Sequence, residues 1–155
     1  MAWKPLKSVD YLAVHCAATP PKMDIGAKDI KGWHLRKGWI DIGYHYVIRR
    51  NGAIENGRPT DRPGAHVRGY NHVSIGICLI GGVAADGKTP EDNFTSDQYN
   101  ALLRLLQDLK TQYPDAKVQG HRDFPNVKKA CPSFDVRSWW AGENNEPATE
   151  STEPS

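Results

Sequence analysis

In the stretch 73–82, VSIGICLIGG, apolar and β-branched residues follow one another almost without a polar break. A strand with one face in water alternates apolar and polar residues, whereas a strand covered on both faces reads as a continuous apolar run. Val73–Gly82 is therefore predicted to be a central strand of a sheet packed on both sides. Working outward, DYLAVHC (10–16) and YHYVIRR (44–50) are short β-rich runs. Asn51-Gly52 joins the second of these to AIENG (53–57), a strong hairpin signal because both residues tolerate positive φ. AKVQG (116–120) suits a last short strand.

Two segments carry the helical period. From Asp24 to Lys37, the residues Ile25, Ile30, Trp33 and Leu35 give a loose apolar face, and Gly38 is placed to end the helix in a left-handed conformation. From Thr95, the series Tyr99, Leu102, Leu103, Leu105, Leu106 and Leu109 repeats at 3.6 residues as far as Tyr113, before Pro114. Thr95 is the expected N-cap, with Gln98 as its capping-box partner. PSFDVRSWW (132–140) suits a short C-terminal helix that buries Phe134, Trp139 or Trp140. Helices on a sheet with strands near both ends of the chain indicate one α/β (α+β) domain.

At 155 residues the chain has the length of one ordinary domain. The last fourteen residues, GENNEPATESTEPS, hold four Glu and no Lys or Arg, which leaves residues 1–141 at +6 against +2 for the whole chain. That tail, 142–155, is polar and free of aromatics and is expected to be disordered, with the folded domain over 1–141. The positive balance favours an anionic partner without choosing between nucleic acid and an acidic wall polymer. Direct nucleic-acid binding is not expected, because the charge is dispersed and no recognition-helix or aromatic-platform motif occurs. GVAADG lacks the glycine fingerprint of a dinucleotide site. No apolar run approaches the roughly 18 residues of a membrane span, and MAWKPLKSVDYLAVHC has prolines and charges where a signal peptide needs an apolar core. Synthesis in a cytoplasm is the expectation, and Cys16, Cys78 and Cys131 read as reduced thiols.

Three residues stand where chemistry gathers. His15 closes the first strand, His121 follows the last, and Cys131 lies ten residues beyond in KKACPSFD. If those strands run parallel, their C-terminal ends emerge together and bring the three side chains to one rim. Two imidazoles and a thiolate make a good zinc set, with a fourth position left for water. From spacing alone, two packed or surface histidines and a small buried thiol remain the other reading. HExxH is absent, so the helix-borne metallopeptidase arrangement is not available. Tyr44 and Lys129 are the expected donors to a developing oxyanion. Strand alternation sets Tyr44, Tyr46 and Ile48 on one face, and His45, Val47 and Arg49 on the other.

GAHVRGYNH (64–72) adds His66, Arg68, Asn71 and His72 in a glycine-broken loop suited to binding sugar or peptide, or else simply exposed. His34 and His45 read as satisfied or packed histidines, Cys16 and Cys78 as core thiols, and Trp3 as packing or a partner contact.

Together VHCAAT (14–19), GWIDIGYHYVIRRNGAIENGR (38–58), GAHVRGYNHVSIGICLIGG (64–82) and HRDFPNVKKACPSFD (121–135) resemble the zinc-dependent N-acetylmuramoyl-L-alanine amidases of the type-2 amidase and peptidoglycan-recognition family, in particular its short T7-type phage lysozymes. The resemblance spans about residues 8 to 140. It implies a central mixed sheet flanked by helices, with one zinc in a surface groove held by His15, His121 and Cys131. It also implies catalytic roles for Tyr44 and Lys129 and turns the Tyr44 face of its strand toward the groove. The implied reaction is metal-assisted hydrolysis of the amide joining muramic acid to L-alanine, causing host lysis. The paired carboxylates of sugar hydrolysis are missing from the motifs. Some relatives bind peptidoglycan without cutting it, usually after losing the cysteine ligand, and Cys131 argues against that alternative here. Implied partners are peptidoglycan, a holin that opens the inner membrane, and the phage RNA polymerase as a target of inhibition. A monomer is expected.

Overall fold

A computed structural model describes residues 6–143. Five strands form one mixed sheet: β1 (Tyr11–Cys16), β2 (Tyr46–Ile48), β3 (Ile54–Asn56), β4 (Ser74–Leu79) and β5 (Lys117–Gly120). The order across the sheet is β3-β2-β4-β1-β5, which puts β4 in the centre. Every residue of β4 is buried, as its unbroken apolar run requires. β1 pairs parallel to β4 and β5, β2 pairs parallel to β4, and only the β2–β3 hairpin is antiparallel.

Helix α2 (Ser96–Gln112) packs with α3 (Val136–Glu143) on one face of the sheet. Leu102, Leu105, Leu106 and Leu109 meet Leu12, Val14, Ile48, Ile75, Ile77 and Leu79 there, and Phe134 and Trp140 complete the cluster. Thr95 caps α2 as read. Its Oγ1 accepts from Gln98 N at 3.0 Å, and Gln98 Oε1 accepts from Thr95 N at 3.0 Å. On the other face, α1 (Ala27–Arg36) presents Ile30 to Val47, Cys78 and Ile80. This helix starts later than the sequence suggests, at the Gly26 cap. The Asp29 carboxylate accepts from Gly26 N, and Glu55 Oε1 accepts from Ala27 N at 2.8 Å. Gly38, at φ +93°, ends that segment in the left-handed region.

Three further differences have local causes. The hairpin turn uses positive φ only at Gly52, whose N–H donates to Arg49 O. β2 begins at Tyr46, two residues after Tyr44, because the chain bends at His45. Alternation therefore fails across the bend: Tyr44 packs with Val47, while Tyr46 and Ile48 face α2. Finally, α3 carries Gly142 and Glu143, two residues past the expected end of the domain at 141. Trp3 and the remainder of the expected tail lie outside the described residues.

Candidate active site

The register between β1 and β5 builds the site. Val14 pairs with Gly120, so the next residue of each strand, His15 and His121, emerges side by side at the C-terminal edge of the sheet. Their rings lie 4.5 Å apart between centroids. The loop after β5 returns to the same edge, where Arg122 N donates to Cys131 O and Cys16 N donates to Cys131 Sγ at 3.1 Å. One ligand atom each from His15, His121 and Cys131 falls within 4.8 Å of the others. Among the described residues, this is the group of His, Cys and acidic side chains that can hold a metal ion.

The electrostatics suit a cation. Burial holds His15 well below the ordinary imidazole range, and His66, His121 and Lys129 add to the effect. Burial and then Lys129 lower His121 too. Both rings are therefore neutral near pH 7, with a lone pair each. The neighbouring Cys16 thiol and burial push the Cys131 thiol up, so a bound cation must displace its proton. Two neutral imidazoles and a cysteine sulfur, at the floor of a cleft of about 370 Å³, fit zinc.

Tyr44 and Lys129 line that cleft with Trp33, His34, Lys37 and Trp39. The Tyr44 ring lies 5.1 Å from that of His15, and burial, with the Cys78 thiol next, raises its phenol well above the ordinary value. At neutral pH it is a hydrogen-bond donor, not a base. Cys16, expected to face away from His15 into the core, lines the same cleft, and its thiol hydrogen-bonds with that of Cys131. It is a neighbour of the cluster rather than a remote core thiol. His45 is the packed histidine expected: its Nδ1 accepts from Gly76 N at 3.0 Å, and its Nε2 lies 2.7 Å from Arg62 O.

The four loop residues separate. His66 lines both the cleft and the adjoining groove, with its Nδ1 2.9 Å from His15 Nε2. Arg68 is exposed beside the cleft, in a wider groove with Lys128, Lys129 and Trp39. Asn71 lines that groove, but its Oδ1 is committed to the backbone N–H groups of His66 and Val67. His72 is exposed and lines neither the cleft nor the groove. The sequence reading missed the wall formed by His34 and Trp39, whose rings lie 4.4 Å apart. His34 Nδ1 accepts from Gly43 N at 2.9 Å, which ties α1 to the segment carrying Tyr44. The available signal was an aromatic residue, Trp39, just after the helix-ending Gly38.

Residues 5–134 match the N-acetylmuramoyl-L-alanine amidase family. The chain belongs to this amidase family. The amidase is 51% identical over 143 residues to an endolysin of Klebsiella phage KP32, covering 92% of this chain and 91% of that one. It is 44% identical over 147 residues to the endolysin of Escherichia phage T7, covering 95% and 94%. Among solved structures, the amidase LysCS from Clostridium intestinale superposes with a TM-score of 0.75 at 25% identity, covering 88% of this chain and 84% of that one. Drosophila PGRP-LB gives 0.69 at 26%, covering 90% and 87%. The five-stranded mixed sheet with three helices is thus the amidase and peptidoglycan-recognition fold, and the chain is an N-acetylmuramoyl-L-alanine amidase of the phage endolysin type.

Proposed function

We propose that the amidase is zinc-dependent and cleaves the amide between N-acetylmuramic acid and L-alanine in peptidoglycan, with His15, His121 and Cys131 holding the metal. The observation that carries this reading is the gathering of those three ligand atoms within 4.8 Å at the floor of a cleft that Tyr44 and Lys129 also line. When bound, zinc supplies Lewis acidity toward the amide carbonyl and lowers the pKa of water.

The chain's own residues do the rest. Tyr44, held neutral by burial, donates a hydrogen bond where negative charge develops on the carbonyl oxygen. The Lys129 ammonium, close enough to lower both histidines, compensates the same charge. Arg68 and Lys128, which line the adjoining groove, offer positive charge to carboxylates of the stem peptide. Hydrolysis adds water across the C–N bond, leaving the lactyl group of muramic acid as a carboxylate and L-alanine with a free amine. Among the described residues, the cleft lining includes no Asp or Glu.

Washed protein should contain one zinc per chain by elemental analysis. Cys131→Ala should lose both metal and turnover while keeping its fold. Absence of zinc from active wild-type protein, or full metal and turnover in Cys131→Ala, would overturn the assignment.

A further inference from the structure

We propose that His66 and Ser74 form a hydrogen-bond relay that fixes His15 in the tautomer able to ligate zinc. In this role His66 is a positioning residue. The inference rests on the zinc reading above and adds two residues to it.

His15 Nε2 lies 2.9 Å from His66 Nδ1. A ring nitrogen engaged in that hydrogen bond has no lone pair to spare for a metal, which leaves Nδ1 as the ligand atom of His15. A ligating nitrogen carries no proton. The single proton of the neutral His15 ring must therefore sit on Nε2 and be donated to His66 Nδ1. His66 in turn must accept at Nδ1 and carry its own proton on Nε2.

The surroundings of His66 enforce that polarity. Its Nε2 faces Ser74 Oγ at 3.3 Å, and the Ser74 hydroxyl donates to Tyr70 O at 2.7 Å. With its proton committed there, the Ser74 oxygen acts toward His66 as an acceptor. The reversed relay would turn the serine proton away from the shorter bond and toward the longer one. It would also place a proton on His15 Nδ1, where the metal binds. Donation thus runs in one direction, from His15 Nε2–H through His66 and Ser74 to the Tyr70 carbonyl.

The niche around His66 is built for a ring. A Cβ at Gly76 would lie 2.6 Å from His66 Cγ, and one at Gly64 would lie 2.7 Å from His66 Cδ2. Both glycines therefore leave space that the imidazole fills. Asn71 Oδ1 accepts from the backbone N–H of His66 at 2.8 Å and of Val67 at 2.9 Å, which holds the loop in place. Ser74 is fully buried at the first position of β4, so water does not compete for its oxygen.

Outer-shell partners of this kind typically change metal affinity about 10- to 100-fold. Zinc affinity would be measured by competition with a chromophoric chelator, and imidazole tautomers by ¹⁵N NMR on the metal-free wild-type protein. His66→Phe keeps a ring but no acceptor and should weaken zinc binding about 10- to 100-fold. His66→Asn restores an acceptor near the Nδ1 position and should recover part of the loss. Ser74→Ala should weaken binding in the same direction and let the His66 tautomers mix. In metal-free wild type, both His15 and His66 should carry the proton on Nε2; a merely space-filling role would leave these signatures unset. A folded His66→Phe with wild-type zinc affinity overturns the relay. So does a His15 ring protonated on Nδ1 in metal-free wild type, which decides the question even if His66→Phe does not fold. If wild type binds zinc but shows the wrong His15 tautomer, the relay alone fails; if it binds no zinc, the metal reading falls with it.

Discussion

Tyr44 and Lys129 reach the cleft that holds His15, His121 and Cys131 from different parts of the chain, one from the bend before β2 and the other from the loop between β5 and α3. Neither belongs to the ligand group, so their loss should spare the metal and the fold. Lys129→Ala and Tyr44→Phe are each expected to retain one zinc and wild-type unfolding behaviour. Turnover should fall about 100- to 1,000-fold, a loss of about 2.7 to 4 kcal/mol of transition-state stabilisation, the scale of one oxyanion donor. Steady-state kinetics on purified peptidoglycan with parallel metal analysis would check this, and unchanged turnover in both variants would remove them from the mechanism. The ligand types were legible in the sequence because His15 stands at the C-terminal end of one strand and His121 directly follows another. The role of His66 was not, since a polar residue in a glycine-rich loop gives no sign of which way its ring points. Trp39 and His34 escaped for a related reason: the cleft wall is made by a helix end and an exposed loop, where no period marks the side that faces the site.

Between elements, the parallel pairing of β1 with β5 decides whether a site exists, because a one-residue slip would send His121 to the other face of the sheet. The sequence shows the two strands and the histidines at their C-terminal ends, and it makes their meeting conditional on a parallel arrangement. Pairing partners for strands so far apart are not written in local pattern. The long helix α2 was readable almost to the residue, since its cap and leucine period are local. The face assignment of Tyr44 failed because strand alternation does not survive the bend at His45. That histidine also ties the bend to β4, accepting from Gly76 N–H with Nδ1. Burial, with Arg58 contributing, holds its pKa below the ordinary value, against the raising effect of Arg62 O. Burial also holds His66 down from 6.5 to about 3. Both rings are favoured neutral in the folded state, so the unfolded chain takes up more protons below pH 6.5, and stability must fall as pH drops from there toward 3. Urea midpoints should decrease from pH 7.5 to pH 5, and the decrease should be smaller in His45→Gln. A midpoint that rises over this interval would contradict the assignment.

For the whole molecule, the cluster of His15, His121 and Cys131, the cationic groove and the opposite helical layer give a candidate catalytic face and a packing face on one small sheet. No described helix is long and apolar enough to cross a membrane. Peptidoglycan lies outside the inner membrane, and we propose that the enzyme reaches it from the host cytoplasm only after a separate factor, a holin, opens that membrane. Expressed alone in a susceptible Gram-negative host, it should leave culture density unaffected until the inner membrane is permeabilised, when density should drop abruptly. Prompt lysis without membrane damage would contradict that route. The chemistry itself is tested most directly by identifying the bond that breaks. Purified peptidoglycan would be digested with metal-stripped protein and with the same protein reloaded with zinc, and the new ends identified by mass spectrometry. The expected result is free amino groups on L-alanine with intact muramic acid, formed only in the reloaded sample; new reducing sugar ends, or equal cleavage by the metal-stripped protein, would contradict a zinc amidase.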